Sequence, residues 1–569
     1  MNMPTNRYCI KLGGESGQGI NTLGILLSKA IKSLGYDIFS YREYPSLIKG
    51  GVASYQIDFS NKYISSSSQN CNILTILDPE AVHEYLHSLN PNGILLYDDS
   101  KVEFSPEEQG WITQNQIHVI YLDSEKIAVE AGGSSIMANI VMTSFLWKLL
   151  GFNPNDLANI VKEIFASKGE EIINKNILCL NAGYNTSEFK EEYTQKTYIP
   201  NLPSEKKDSK ILTGNDAIAL GAISAGVRAY YGYPMTPATS IFKYLGNTYK
   251  ETGILIKQAE SEITAVQMAM GSMAMGTRAL TATSGGGFDL MQETISCAGI
   301  TETPLVIVLA QRIGAGTGVP TWTGSSDIHT AVKSGHGEFP KAVLCVSDIQ
   351  SGYILIQQAF NIAETYQIPV IVLTEKQIAE SIFTVETLPR ALQIQRGTYN
   401  GENRYEITNT GISPRWIPSF DKKPYLNNSD EHNQASQSTE NMDEIREMSD
   451  KRMQKQSTLL NNLPEPVLYG NPQAQTVLVG CGSTKNPILD AISEGMNIAY
   501  LHYEYLFPTR TQTLLNLVSS GKRIILVENN QTGELGKILT EASGYQFKEK
   551  ILKYNGKPLF LEDILNIQI

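Results

Sequence analysis

Tyr8-Cys9-Ile10-Lys11-Leu12 runs directly into Gly13-Gly14-Glu15-Ser16-Gly17-Gln18-Gly19, and beyond it Leu23, Leu26, Leu27, Ala30, Ile31 and Leu34 recur. The first run is apolar enough for a strand, and the later spacing is that of one helical face. A strand, a glycine loop and a helix in succession open an α/β unit. Strand-like runs at Tyr55–Phe59, Ile73–Leu77, Gly93–Tyr97 and His118–Leu122 carry it onward, and a first α/β domain is expected over residues 1–186.

The texture then changes. Residues 187–210 are polar, with Pro200, Pro203 and Lys206-Lys207-Asp208, and read as a linker. A second α/β domain is expected over 211–390, opening on a helix with Ala217, Leu220, Gly221 and Ser224 on one face. Short strands and helices alternate through it: a strand Ala229–Tyr231, a proline-rich loop, a helix from Ala238, a strand near Leu255, a helix Ser261–Met275, a strand Ala279–Thr283, a glycine loop Ser284–Gly287, and a strand Leu305–Leu309. Helices rich in Ala, Gly and Met suit close packing on a parallel sheet. Residues 391–465 are polar and turn-rich, which predicts ordered loops and one long helix; the composition near Ser436–Asn441 is compatible with disorder. A third α/β unit, 466–569, starts at Thr476-Val477-Leu478-Val479-Gly480, turns at Gly482-Ser483-Thr484, and adds strands at Ile498–Leu501 and Arg523–Val527.

Bulk properties narrow the function classes. The 569 residues exceed the roughly 100–200 of a single domain. A net charge of -12 without any basic run argues against a nucleic-acid surface, which is built from clustered Lys and Arg. The six cysteines, Cys9, Cys71, Cys179, Cys297, Cys345 and Cys481, are scattered singly, so neither a disulfide framework nor an iron–sulfur site is expected, and a reducing cytoplasm is. Met1–Arg7 lacks the apolar core of a secretory signal, and no apolar run approaches the roughly 18 residues of a membrane span.

Several constellations could carry chemistry. Gly13-Gly14-x-x-Gly17-x-Gly19 is not a clean dinucleotide fingerprint; a plain turn and a phosphate cradle at a helix N-terminus both stay open. Glu43-Tyr44-Pro45-Ser46-Leu47-Ile48-Lys49-Gly50-Gly51 sets Lys49 among glycines, either as a solvated cation or as one for a carboxylate or phosphate. Tyr233-Pro234-Met235-Thr236-Pro237 is stiffened by two prolines at a strand end, and strand C-terminal edges are where α/β proteins place ligands. Glu260 and Glu262 flank Ser261 at a helix start, so they point roughly opposite ways and at most one can serve a site; the alternative is two acids answering the helix dipole. Gly285 in Ser284-Gly285-Gly286-Gly287-Phe288 lets backbone come close to a ring or a diphosphate. Arg312, with Thr317 and Thr321 downstream in a glycine-rich loop, suits bidentate capture of a carboxylate. His329 and His336 lack a third partner for a metal.

These residues together resemble a known family. Gly214-Asn215-Asp216-Ala217, Gly232–Pro237, Ala259-Glu260-Ser261-Glu262, Thr281–Gly285 and Gln311-Arg312 with Thr317-Gly318-x-Pro320-Thr321 resemble the α subunit of the 2-oxoacid:ferredoxin oxidoreductases. The first glycine loop and Glu43–Gly51 resemble that family's γ subunit, fused ahead. Gly335-His336-Gly337-Glu338, Gly411–Arg415 and Gly480–Thr484 extend the likeness along nearly the whole chain, which is most similar to the 2-oxoglutarate-type and broad-specificity members. The implied fold class is α/β: a γ-type α/β domain, a pyrimidine-binding domain for thiamine diphosphate, and a C-terminal domain like that of transketolase.

The resemblance also implies roles. The glutamate matching Glu262 bonds the cofactor's pyrimidine and activates it, with Tyr233, Pro234 and Gly285 beside the cofactor. Thr236 and Arg312 match positions that hold the substrate's carboxylate and keto group, Thr317 and Thr321 match further substrate or coenzyme A contacts, and Lys49 matches a γ-domain lysine for the oxoacid. Carbon dioxide leaves, an iron–sulfur cluster takes the electrons toward ferredoxin, and coenzyme A takes the acyl group. The magnesium and diphosphate signature and the cluster cysteines are missing here. In the family both lie on a β subunit, so Mg2+ and a [4Fe-4S] cluster are expected on that partner and half a site on this chain. Departures at Ser284-Gly285-Gly286-Gly287, Gly314-Ala315-Gly316-Thr317 and Gly324-Ser325-Ser326-Asp327 bear on which oxoacid is taken: 2-oxoglutarate, or pyruvate, a branched-chain or an aryl oxoacid. A non-catalytic, partner-binding paralogue is the other reading.

Overall fold

The strand that begins at Arg7 does not stop at Leu12. In the computed structural model it continues through both glycines to Glu15. The model describes residues 6–46, 50–98, 102–196, 199–204, 208–399, 401–419 and 424–568. Gly13 and Gly14 stay in the strand because a side chain would not fit there: a Cβ on Gly13 would stand 2.6 Å from Ile76 Cδ1, and one on Gly14 would stand 2.7 Å from Gln18 Oε1. The turn proper is short, and Gly19, at φ 87°, caps the helix Ile20–Ser33. Leu23, Leu26, Leu27, Ala30 and Ile31 are its buried face.

Two compact units result. One comprises Met1–Ile211, Ser381–Glu386 and Phe560–Asn566; the other comprises Leu212–Glu380, Thr387–Leu559 and Ile567–Ile569. The first is built on an eight-stranded sheet in the spatial order His118–Tyr121, Leu89–Tyr97, Cys71–Ile76, Arg7–Glu15, Val52–Ser60, Asp37–Glu43, Ile382–Val385, Lys210–Thr213. The sheet is mixed, since Arg7–Glu15 runs parallel to Cys71–Ile76 but antiparallel to Val52–Ser60. Asp37–Glu43 escapes the sequence reading because Asp37, Ser40 and Glu43 are buried with its apolar residues, which erases the alternation.

The second unit holds two sheets. One has seven strands in the order Tyr505–Phe507, Ala342–Cys345, Pro369–Glu375, Leu305–Gln311, Ala279–Thr283, Ala229–Gly232, Leu255–Gln258. All pairs but the one made by Tyr505–Phe507 are parallel. The strand ends Gly232, Gln258, Thr283 and Gln311 therefore open on one edge of the sheet, where parallel α/β folds bind ligands. Leu305–Gln311 is buried throughout, the continuous apolar run that a strand covered on both faces requires. The third sheet, in the order Val467–Gly470, Ala499–Tyr503, Thr476–Cys481, Arg523–Glu528, Glu549–Leu552, is parallel except at its first strand.

The polar stretch between these sheets is ordered by charge rather than by a core. Its long helix, Met442–Asn462, is capped by Asn441, and Lys451 and Lys455 both reach the buried carboxylate of Glu302. Nearby, Arg278, Arg396 and Arg415 converge on Glu364. Disorder near Ser436–Asn441 is not found. Ser436 is buried, its hydroxyl accepts the Leu426 N–H at 3.0 Å, and a bridge pairs His432 with Ser438. Backbone and side-chain hydrogen bonds replace the missing apolar side chains there. Among the described residues no helix is long and apolar enough to cross a membrane.

Candidate active site

Tyr233–Pro237 leaves the strand Ala229–Gly232 and leads to the helix Thr239–Asn247. Tyr233 and Pro234 are exposed, Met235 and Thr236 half-buried and Pro237 buried. The Thr236–Pro237 peptide is cis. The loop is held from beneath: Asn215, fully buried, donates from Nδ2 to the Pro237 carbonyl at 2.8 Å and to Ser240 Oγ at 2.7 Å. From the neighbouring strand end, Arg312 Nη1 donates to the Thr236 carbonyl at 2.7 Å. Arg312 is itself buried, and one hydrogen bond leaves most of its five N–H donors for another acceptor.

The two glutamates separate cleanly. Glu260 is exposed and accepts the Thr264 hydroxyl at 2.6 Å, a bond that lowers its pKa. Glu262 is the first residue of the helix Glu262–Ala274, capped by Ser261, and retains only 6% of its surface. Its carboxylate makes no hydrogen bond or ion pair to any described residue, which leaves both oxygens available to a ligand. The backbone of Gly287 lies directly against it: a Cβ there would stand 2.5 Å from Glu262 Oε1 and 2.1 Å from Thr283 Oγ1. The expected glycine loop is in fact the first turn of a short helix, Gly285–Asp289, with Ser284 at its N-cap. Without side chains the turn can lie flat against the neighbouring strand ends. The Ser284 hydroxyl is buried and unpartnered.

Two acids complete this corner: Asp327, which the sequence marks only as the end of the departing stretch Gly324–Asp327, and Asp289, which it does not mark at all. The Asp327 backbone N–H is fixed by Gln311 Oε1 at 3.0 Å. Its carboxylate lies where a Gly285 side chain would go, with Oδ2 2.9 Å from that Cβ position. Burial pushes the Asp327 carboxyl up to about 6, with Asp289 adding to the rise and Arg312 opposing it. Burial also lowers the Arg312 pKa, against the support of Asp327. No local pattern marks these acids; they meet only because separate strand ends share one edge.

Other expected residues lie apart. Ile313 pairs with Val319, and the Gly314–Gly318 loop reverses between them, so that Thr317 is exposed and bonded to none of Thr236, Glu262 and Arg312. Gly318 has to be glycine, because a Cβ would fall 1.9 Å from the Ile313 carbonyl. Thr321 is buried. His329 and His336 are exposed, and the described residues contain no group of three or more His, Cys, Asp or Glu able to hold a metal. Lys49 lies outside the described residues.

The site is thus a buried, unanswered carboxylate on a glycine platform beside an arginine clamped to a rigid loop. Such a carboxylate can accept a ring N–H, and such an arginine can take a carboxylate. Comparison with known proteins gives the class. Residues 220–453 match the family model described as pyruvate flavodoxin/ferredoxin oxidoreductase, thiamine diP-bdg, and residues 9–186 match pyruvate ferredoxin/flavodoxin oxidoreductase. The 2-oxoacid:ferredoxin oxidoreductase subunit alpha of Sulfolobus sp is 31% identical over 97% of this chain and 95% of its own. The 2-oxoglutarate synthase subunit KorA of Methanothermobacter marburgensis is 29% identical over 62% of this chain and 97% of its own. A solved 2-oxoglutarate:ferredoxin oxidoreductase from Magnetococcus marinus, with 2-oxoglutarate, coenzyme A and succinyl-CoA bound, superposes with a TM-score of 0.90 at 28% identity, over 99% of this chain and 98% of that one. The chain belongs to the 2-oxoacid:ferredoxin oxidoreductase family, as an α subunit.

Proposed function

We propose that this subunit, with a β subunit, carries out the oxidative decarboxylation of a 2-oxoacid to its coenzyme A thioester, 2-oxoglutarate to succinyl-CoA being the first reaction to test, with ferredoxin as electron acceptor. The observation that carries the reading is Glu262, buried and unanswered against Gly287. These residues fit the aminopyrimidine of thiamine diphosphate. The turn is open beside Gly286, where a side chain would meet nothing closer than Met235 Cε at 3.6 Å, and the orphaned Ser284 hydroxyl and the Glu262 carboxylate offer polar contacts.

Thiamine diphosphate, when bound, supplies the nucleophilic carbon and the electron sink for decarboxylation. Glu262 would share a proton with a pyrimidine ring nitrogen and hold that nitrogen in place. Arg312 would pair with the carboxylate next to the keto group, and its bond to the Thr236 carbonyl keeps the guanidinium from turning away. Tyr233, Pro234 and Gly285 would border the cofactor, and Thr317, Thr321 and Lys49 would contact substrate or coenzyme A. Magnesium, the diphosphate clamp and the [4Fe-4S] cluster would come from the β subunit.

A second reading keeps the chemistry and changes the acid to pyruvate, a branched-chain or an aryl 2-oxoacid. One observation favours it: among the described residues, the charged groups that act on Asp327, beside the candidate carboxylate site, are a single cation, Arg312, and two acids, Asp289 and Glu534. The test is the purified αβ complex assayed with coenzyme A and ferredoxin against a panel of oxoacids. Turnover of 2-oxoglutarate above the others supports the first reading, preference for monocarboxylates supports the second, and no turnover of any oxoacid overturns both.

A further inference from the structure

Glu375 ends the strand Pro369–Glu375 with a buried carboxylate. It faces the turn that follows the strand Thr476–Cys481. The Ser483 N–H donates to its Oε1 at 2.8 Å, and a Cβ on Gly482 would stand 2.6 Å from the same oxygen. Its other oxygen, Oε2, accepts Asn529 Nδ2 at 3.5 Å, from just beyond the strand Arg523–Glu528. Thr323 closes the group: its hydroxyl accepts the Gln377 N–H at 3.2 Å, and its side chain acts on the Glu375 carboxyl. Ser483, Asn529, Thr323 and Gln377 are all as buried as Glu375 itself.

Around this one anion several oxygens are left open. The Ser483 hydroxyl, Asn529 Oδ1 and both ends of the Gln377 amide have no hydrogen-bond partner among the described residues, although Ser483 and Asn529 each reach Glu375 through another atom. Burial raises the Glu375 pKa, and the neutral dipoles of Ser483, Asn529 and Thr323 oppose the rise without reversing it. No cation, the adjoining Lys376 included, is among the groups that act most on it. A carboxylate this dry takes up either a proton or a cation. A proton on Glu375 can be donated to only one of the open oxygens, whereas a cation is shared by the carboxylate and the oxygens together. Glu528 does not compete, because Asn530 Nδ2 at 2.7 Å and the N–H groups of Leu535 and Gly536, both at 3.0 Å, already answer its carboxylate. One negative charge among neutral oxygen donors suits a hard monovalent ion such as K+ or Na+, and the described residues offer no His, Cys, Asp and Glu set for a transition metal.

We propose that Glu375, Ser483 and Asn529, with Thr323 and Gln377 beside them, form a monovalent-cation site that joins the C-terminal edge of the seven-stranded sheet to that of the third sheet. It uses none of the residues assigned to cofactor or substrate, so it stands apart from the oxoacid reading. An ion held by the folded chain and not by the unfolded one stabilises the fold in proportion to its occupancy.

The test unfolds the full chain in denaturant at constant ionic strength in KCl, NaCl or tetramethylammonium chloride, whose methyl-covered cation the oxygens cannot ligate. As K+ or Na+ replaces tetramethylammonium, the wild-type unfolding constant is expected to fall and then level off, by about tenfold once the ion stands tenfold above its Kd. E375Q is expected to lose this saturable effect. S483A keeps the carboxylate and removes one oxygen, so the half-saturating ion concentration is expected to rise by about 2–10-fold, the weight of one neutral polar contact; this variant carries the test if E375Q does not fold. Equal wild-type stability in the three salts, or a difference that never saturates, means that the pocket holds water or a protonated acid and overturns the proposal. So does a saturable effect that E375Q keeps at full size, or a half-saturation that S483A leaves unmoved.

Discussion

Arg312 Nη1 donates a 2.7 Å hydrogen bond to the carbonyl oxygen of Thr236. Two loops that are far apart in sequence are thereby locked together, and the remaining guanidinium edge is fixed in direction. Lysine at this position can supply the charge but not both the clamp and a two-point grip on a carboxylate. R312K is expected to raise the KM for the 2-oxoacid by about 10–100-fold, the loss of one hydrogen bond to a charged group, with thermal stability of the complex nearly unchanged. Steady-state kinetics with the preferred oxoacid checks this, and an unaltered KM rules out Arg312 as the substrate's carboxylate partner.

Glu262 and Glu260 differ by two positions and by nearly everything else. E262Q removes the carboxylate that lies against Gly287, and turnover is expected to fall by about 10²–10⁴-fold, the usual weight of a positioned acid–base group. E260Q alters an exposed side chain that bonds only to Thr264, and turnover is expected to stay at the wild-type level. Equal effects of the two substitutions would show that the helix start, rather than one carboxylate, is what matters.

The separation of these two glutamates was legible in the sequence, because alternation at a helix start puts them on opposite sides whatever surrounds them. The parallel sheet was legible too, since Leu305–Gln311 and Ala279–Thr283 are apolar runs of strand length between helical patterns. Asp37–Glu43 was not, because a strand with buried Asp, Ser and Glu has no apolar rhythm. The Gly285–Gly287 turn read as a loop because glycine disfavours helices locally, and tertiary contact with Glu262 and Thr283 overrides that preference. Asp327 read only as the end of the departing stretch Gly324–Asp327. That its carboxylate stands beside Gly285 was not legible, because no spacing rule reports proximity across strand ends.

Gly287 and Gly286 are neighbours with opposite tolerance. A Cβ on Gly287 meets Thr283 Oγ1 at 2.1 Å and Glu262 Oε1 at 2.5 Å, while one on Gly286 meets nothing closer than Met235 Cε at 3.6 Å. G287A is therefore expected to displace the helix start and to weaken thiamine diphosphate binding by at least about tenfold, the factor for some 1.4 kcal/mol of overpacking. G286A is expected to bind the cofactor within about twofold of wild type, since a methyl in open contact changes little. Cofactor titration followed by intrinsic fluorescence distinguishes the two, and equal affinities would remove the platform from the cofactor site.

The charge count around Glu302 makes a prediction about stability rather than catalysis. Glu302 is fully buried with Lys451 at 2.6 Å and Lys455 also in contact, and Arg404 donates to the Glu302 backbone carbonyl at 2.7 Å. Burial opposes the carboxylate's charge, but Lys451 and Lys455 more than offset it and hold the Glu302 carboxyl far below its usual range. Burial lowers both lysines in turn, Lys451 to about 8, against the pull of Glu302. Removing the single anion leaves two ammonium groups facing each other in a dry site, so E302Q is expected to destabilise the chain by about 3–5 kcal/mol, the cost of breaking a buried pair from one side. K455M leaves one anion and one nearby ammonium, and its cost is expected to be clearly smaller, because the apolar methionine fills the volume without needing a partner. The sign with pH follows from the depressed pKa: the Glu302 contribution is complete above its unfolded value of 4.5 and is lost as pH falls toward the folded one. Wild type is therefore expected to lose stability steeply below about pH 4.5 while E302Q, already lacking that contribution, loses less over the same interval. Denaturant unfolding of the full chain at neutral and acidic pH measures both differences, and an E302Q that is no less stable than K455M at neutral pH would mean that the two lysines are not both charged in the native state.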